Sequence, residues 1–238
     1  MKAVVLCGGK GTRLRPYTHT VPKPMLVLGR KPILQYIVEY LRKQGVSEII
    51  MTVGHLKEQI IDYFGDGSKF GIKIQYSAEE NSIGTAGSVK KAAKLLKGEE
   101  NFLVLMGDQL TNIDLKKFMD SHLKRKAVIS VALKRSGMPF QYGTAEIDKD
   151  SNITAFAEKP IIQNLVNVAI YALNKRAIDF LPEEGDFALD VFPAILKSRE
   201  KLAGYVFDDY WIDVGSLQDY EHMNKLVSII DLIANHDK

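Results

Sequence analysis

Short apolar runs of β-type composition alternate along this chain with segments of helical period, and that alternation restricts the fold more than any other feature. Lys2–Leu6 (KAVVL), Glu48–Val53 (EIIMTV), residues 73–77 and residues 102–106 (FLVLM) read as strands. Between the first two, Pro32 opens a helix whose apolar Ile33, Leu34, Ile37, Val38 and Leu41 follow a 3.6-residue period, with Gly45 as its stop. Residues 56–64, 85–97 and 115–124 have the same helical texture. Strands separated by helices need crossover connections, so the expected fold is α/β, a Rossmann-like, doubly wound and mostly parallel sheet. The uninterrupted FLVLM run suits a central strand covered on both faces.

Residues 128–133 continue the strand pattern, and beyond residue 135 the texture changes. Residues 145–147, 153–158, 166–173 and Leu202–Phe207 read as shorter strands, some of them antiparallel, and 176–181, 189–197 and 217–230 as helices. No linker, repeat or low-complexity tract interrupts the chain, so residues 1–238 are expected to form one domain with an embellished, partly antiparallel second half.

The chain has 238 residues, 46% hydrophobic and 26% charged. That is too apolar for a disordered tail and long enough to bury a core without disulfide or metal staples. The single cysteine, Cys7, forbids an intramolecular disulfide or a multi-cysteine zinc site and suits a reducing compartment. No apolar run approaches the ~20 residues of a membrane span, and residues 3–7 are too few for a signal-peptide core. A cytoplasmic protein is expected. Its five histidines show no metal-ligand spacing. Charge is unevenly spread. Residues 1–38 hold seven basic side chains and no acid, which leaves −4 for the rest of a chain whose net charge is +3. A local field of that sign favours a polyanion such as a nucleotide phosphate.

The richest segment lies there: Leu6-Cys7-Gly8-Gly9-Lys10-Gly11-Thr12-Arg13-Leu14-Arg15-Pro16. It directly follows a strand, where open α/β sheets bind ligands. Glycines admit close backbone approach, and successive N–H groups can cradle a phosphate. Two common phosphate motifs fail. Gly-Thr-Arg stands where a Walker loop needs Gly-Lys-Ser/Thr, and Leu14 replaces the third glycine of the dinucleotide fingerprint. Pro16, Pro22 and Pro24 extend the loop where that fingerprint expects a helix.

With Pro22-Lys23-Pro24 after it, this run resembles the signature of the sugar-1-phosphate nucleotidylyltransferases, the NDP-sugar pyrophosphorylases. Further elements agree in order: Gly84-Thr85-Ala86-Gly87, Gly107-Asp108, Tyr142-Gly143, Glu158-Lys159-Pro160, Asn167-Val168-Ala169-Ile170-Tyr171 and Trp211-Ile212-Asp213-Val214-Gly215. The resemblance spans almost the whole chain. It implies Mg²⁺-dependent joining of a nucleoside triphosphate to a sugar 1-phosphate, giving an NDP-sugar and pyrophosphate. Residues 1–135 would then be mainly the nucleotide half and 136–238 mainly the sugar-phosphate half. The nucleophile of that reaction is a phosphate oxygen already ionised at neutral pH, so no general base is needed. Positioning and charge neutralisation carry the work.

By the same resemblance Asp108 and Asp213 hold Mg²⁺, which suits a metal that takes one or two carboxylates plus phosphate oxygens and water. Arg13 would grip the β- and γ-phosphates with a guanidinium fork. Lys23 would neutralise the α-phosphate and the incoming sugar phosphate. Leu6, Gly8, Gly9, Gly11, Thr12, Gly84 and Thr85 would line the nucleotide. Lys159 would hold the sugar phosphate and Glu158 the sugar hydroxyls, with Asn167 and the backbone of Gly143 completing the pocket. Ala169 departs from the glycine common in relatives, and its methyl is expected to narrow that pocket or shift the backbone.

The resemblance puts Glu79 where relatives have a base-reading side chain. A carboxylate accepts from both N1–H and N2–H₂ of guanine, a match uracil and thymine lack in full. Glu80 is the alternative reader. The Gly-Thr-Ala-Gly run resembles the guanylyl-type branch, which points to GTP and mannose 1-phosphate. A uridylyl- or thymidylyltransferase acting on glucose 1-phosphate, transfer to another sugar or alcohol phosphate, and a non-catalytic nucleotide-sugar-binding subunit remain as alternatives. Neither nucleic acid nor membrane is expected as a partner, and a homo-oligomer is left open. Some relatives carry a C-terminal β-helix, whereas this chain is expected to be a catalytic domain alone.

Overall fold

The computed structural model describes residues 1–236, with side chains through Val227. In chain order the elements are β1 (Lys2–Leu6), the small hairpin β2 (Val27–Leu28) and β3 (Lys31–Pro32), α1 (Ile33–Lys43), β4 (Glu48–Val53), α2 (Lys57–Phe64), β5 (Lys73–Ala78), α3 (Gly84–Ala93), β6 (Asn101–Met106) and β7 (Gln109–Thr111). There follow α4 (Leu115–Arg125), β8 (Ile129–Pro139), β9 (Thr144–Ile147), β10 (Ile153–Ala157), β11 (Ile161–Asn174), α5 (Phe192–Lys197), β12 (Leu202–Phe207), β13 (Trp211–Asp213) and α6 (Leu217–His236).

Seven strands form the main sheet in the order β12-β8-β11-β6-β1-β4-β5. β11 alone runs against its neighbours, antiparallel to both β6 and β8, while β1, β4, β5 and β6 pair in parallel. The expected doubly wound, mostly parallel sheet is therefore the one observed. Alternation along β1 shows how both faces are covered. Ala3, Val5 and Cys7 join a core with Ile37, Val38 and Leu41 of α1 and Phe118 of α4, whereas Val4 and Leu6 join a second core with Ala86, Val89 and Ala92 of α3. Burying each such aliphatic or aromatic side chain contributes about 1.5–3 kcal/mol. Among the described residues, no helix is long and apolar enough to cross a membrane.

The expected elements differ from the observed ones mainly at their ends. α3 stops at Ala93, not residue 97, and a turn follows in which Leu96 is buried. Lys175–Phe180 is a 3₁₀ helix, entered through the Asn174 side chain, which accepts from the Arg176 N–H. A π-type turn at Phe187–Val191 precedes α5, where a single helix over 189–197 was expected. β8 and β11 extend well past residues 133 and 166, pairing from Ile161↔Pro139 to Asn167↔Leu133 as a ribbon beyond the core. β7 and β13 are not evident from the sequence, since three residues are too short to display a period.

Candidate active site

Strand order reverses at β1. The chain moves from β1 to β4 and β5 on one side, then crosses back to β6 on the other, and ligands bind at such a switch point, beyond the strand C-termini. The glycine-rich loop leaves β1 there and Asp108 leaves β6 beside it, because Leu6 pairs with Met106. The Gly107 N–H donates to the Leu6 carbonyl at 2.9 Å. A Cβ on Gly107 would lie 2.6 Å from Cys7 Sγ and 3.0 Å from Leu6 O, so only glycine lets Asp108 stand this close to β1.

The loop is a series of short 3₁₀ turns at Thr12–Leu14, Tyr17–His19 and Lys23–Met25. Gly11 has φ +61°, and a Cβ there would meet Thr18 Cγ2 at 2.9 Å and Lys23 Cβ at 3.1 Å. The Thr18 hydroxyl donates to Gly11 O at 2.8 Å, folding the loop back on itself. Leu14 anchors it in the core with no exposed surface. A cavity of about 220 Å³ results, lined by Leu6, Gly9, Gly11, Thr12, Arg13, Lys23, Asp108 and Gly215 among others.

Lys23 is only 8% exposed. Its Nζ lies 2.5 Å from Asp108 Oδ2 and 3.9 Å from Asp213 Oδ1. The two carboxylates, more than a hundred residues apart in sequence, meet because β13 pairs with β7, Asp213 opposite Gln109. Burial pushes the Asp213 carboxyl above its usual range. The charge of Asp108 adds to this, and the charges of Lys23 and Arg13 oppose it. Asp108 Oδ1 is buried with no hydrogen-bond partner among the described residues, an acceptor that a cation would satisfy. Two carboxylates beside a phosphate-sized cavity fit magnesium, which completes its shell with substrate oxygens and water. Among the described residues, no group of three or more His, Cys, Asp or Glu side chains could hold a metal. Cys7 is buried at the edge of the site, and burial, reinforced by Asp108, pushes its thiol up into the inert range.

A second cavity, of about 450 Å³, lies beside Gly8, Gly54, Glu79, Glu80, Asn81 and Ser82. Glu79 is 7% exposed, and its Oε1 has no partner among the described residues. Its Oε2 sits 3.5 Å from where a Gly8 Cβ would be, so Gly8 and Glu79 face each other. Burial raises the Glu79 carboxyl above its usual range, against a hydrogen bond from Ser88 and the charge of Lys91. Glu80 is exposed. Gly84 and Thr85 are expected at the nucleotide; in the structure a Cβ on Gly84 would stand 2.3 Å from Gly185 O, and the Thr85 N–H and hydroxyl both donate to Asp186. Asp186 was not among the expected site residues, because nothing in its local pattern marks a contact made 101 residues away.

Gly143 and Glu158 are brought together, a Gly143 Cβ falling 2.8 Å from Glu158 Oε2 and 2.6 Å from Phe156 Cζ. Glu158 and Lys159 are both exposed, and Lys159 has φ +46°. Asn167 sits at a register shift in β11. Its Oδ1 accepts from the Ala169 N–H at 2.9 Å and its Nδ2 donates to the Tyr171 hydroxyl at 3.1 Å. Ala169 adopts φ +54°, so the backbone keeps a left-handed shape in spite of the methyl.

Residues 2–228 match the nucleotidyl transferase family. The chain belongs to that family, in the class of sugar-1-phosphate nucleotidyltransferases. It is 39% identical to D-glycero-α-D-manno-heptose 1-phosphate guanylyltransferase of Campylobacter jejuni, over 93% of this chain and 98% of that one. It is 35% identical to UTP–glucose-1-phosphate uridylyltransferase of Synechocystis, over 92% of this chain, but spans only 61% of that protein's length. Among solved structures, HddC from Yersinia pseudotuberculosis complexed with GMP-PN superposes with a TM-score of 0.75 at 30% identity, covering 94% of this chain and 98% of that one.

Proposed function

We propose that this enzyme transfers a guanylyl group from GTP to a manno-configured sugar 1-phosphate, mannose 1-phosphate first among them. The observation that carries the reading is Glu79, a nearly buried carboxylate that lines the cavity beside Gly8 and whose Oε1 has no partner among the described residues. An isolated buried acceptor costs about 1–3 kcal/mol, and the paired N1–H and N2–H₂ donors of guanine remove that cost, whereas uracil and thymine each present one such donor. A guanylyltransferase acting on a manno-heptose and a GMP-PN complex among the similar proteins support the same base. The uridylyltransferase relative keeps UTP and glucose 1-phosphate as the second reading.

The reaction balances simply. A sugar-phosphate oxygen forms a bond to the α-phosphorus as the α–β bridging bond breaks, and its electron pair leaves with pyrophosphate. Arg13 holds the β- and γ-phosphates, and Gly8, Gly9, Gly11 and Thr12 offer backbone to the nucleotide. Lys23 moves its charge onto the α-phosphate, where negative charge accumulates between two polyanions. Magnesium, held by Asp108 and Asp213, would screen the phosphate oxygens when bound. Glu158, Lys159, Asn167 and Gly143 take the sugar phosphate, so residues 136–238 act mainly on it and 1–135 on the nucleotide.

The test is pyrophosphate release with each of the four NTPs against mannose, manno-heptose, glucose and N-acetylglucosamine 1-phosphates. Turnover is expected with GTP and a manno sugar. Preference for UTP or dTTP with glucose 1-phosphate establishes the second reading, and no turnover with any pair overturns both.

A further inference from the structure

Helix α3 begins in a way that a free helix does not. The first amides of a helix lack intrahelical partners and stand ready for an anion. Here the protein takes them itself. The Thr85 N–H and hydroxyl donate to one oxygen, Asp186 Oδ1, at 3.1 and 2.9 Å. Thr85 Oγ1 in turn accepts from the Phe187 N–H at 3.1 Å. The Ala86 and Gly87 amides donate to the Gly185 carbonyl at 2.9 and 3.4 Å, and the Gly185 N–H returns a bond to Ile83 O at 3.0 Å. The glycines of the motif exist for this docking. A Cβ on Gly84 would stand 2.3 Å from Gly185 O, and one on Gly87 2.5 Å from Glu183 O.

The segment that reaches over to α3 also touches the opposite side of the site. Phe187 is 1% exposed, and its ring centroid is 4.9 Å from that of Tyr171. The Tyr171 hydroxyl accepts from Asn167, at the bulge of β11. Upstream of α3, residues 79–83 form the loop that carries Glu79. Asp186 is itself held, its N–H donating to Asp190 Oδ2 at 2.7 Å. One carboxylate thus ties the base-side loop to the segment packed against the sugar-side strand.

We propose that Asp186 is a positioning residue for the transfer reaction, locking the start of α3 so that the base and sugar-phosphate subsites keep a fixed relation. This rests on the assignment of those subsites given above. Asp186 acts through Thr85 and Phe187 and touches no reacting phosphate, so its loss loosens binding more than it slows the chemical step.

The experiment compares Asp186→Ala with Asp186→Asn in steady-state kinetics, using the NTP and sugar 1-phosphate identified by the screen. In the alanine variant both KM values are expected to rise about tenfold with kcat within about threefold. The asparagine variant keeps the acceptor oxygen, and its KM values stay within about twofold of wild type. Hydrogen exchange should quicken at residues 82–87 in the alanine variant and not in the asparagine one. Unchanged KM values in Asp186→Ala, or equal defects in the two variants, overturn the proposal. If Asp186→Ala fails to fold, Thr85→Val against Thr85→Ser decides in the same way, since serine keeps the hydroxyl. If the wild-type enzyme turns over no pair, the functional reading has failed, and the exchange pattern alone then decides whether Asp186 locks α3.

Discussion

Lys23 places its ammonium where a divalent cation shared by Asp108 and Asp213 would also be drawn, 2.5 and 3.9 Å from the two carboxylates. Like charges cannot share that space, so under the proposed mechanism a metal would enter only as Lys23 turns towards the substrate phosphates. Replacing Lys23 with Met is expected to lower turnover by about 10²–10³-fold. The same change should tighten Mn²⁺ binding to the nucleotide-free enzyme, measured by titration calorimetry. Unchanged or weaker Mn²⁺ affinity would show that the lysine does not compete. Glu79 makes a different trade. Its carboxyl is raised by burial, so the unfolded chain, near pKa 4.3, loses its proton first as pH rises. The destabilisation is absent below about pH 4, where both states are protonated, and complete above the folded pKa. Glu79→Gln should therefore melt higher than wild type at neutral pH, the gain fading towards pH 4, while the preference for GTP is lost. Thermal melts across that range and a GTP-to-UTP rate ratio check both halves.

Among the elements, the bulge of β11 carries the clearest strain. Left-handed backbone costs a non-glycine residue about 1–2 kcal/mol, against about 0.4–1 kcal/mol for the greater freedom glycine has when unfolded. Ala169, at φ +54°, is on the losing side of that balance. Ala169→Gly is expected to stabilise the protein by up to about 1 kcal/mol in a denaturant titration and to lower the KM for the larger sugar phosphates. Elements also mark where sequence reading stopped. β1, α1, β4 and β6 were legible because their apolar periods run for five residues or more. β7 and β13 were not, and yet their pairing joins Asp213 to Asp108. Gly84-Thr85 was placed at the nucleotide by resemblance alone, since a glycine signals close approach without saying to what. The group that stands nearest Gly84 within the chain is the backbone at Gly185.

Across the whole molecule, charge gathers at one end of the sequence, though the fold redistributes it. Lys2 pairs with Glu48 at 3.1 Å and Lys31 with Glu39 at 2.9 Å, while Arg13 and Lys23 line the cavity at the glycine-rich loop. The attraction for the proposed triphosphate substrate is thus narrower than a +7 segment implies. It should still be screened by salt, as the Debye length falls from about 10 Å at 0.1 M to 3 Å at 1 M. The KM for the NTP is expected to rise several-fold over that range in NaCl titrations, with kcat changing less. A flat KM would assign binding to hydrogen bonds alone. What the sequence by itself determined is local: the strand–glycine-loop junction, the helical faces, the mostly parallel sheet and the basic, acid-free character of the glycine loop. These follow from periodicity and from conformational freedom, which neighbours along the chain decide. Tertiary structure alone decided that Asp108 and Asp213 share Lys23, that Glu79 is buried against Gly8, and that Asp186 closes the start of α3. Each of those contacts joins residues far apart in the chain, and no local period records which distant backbone will arrive.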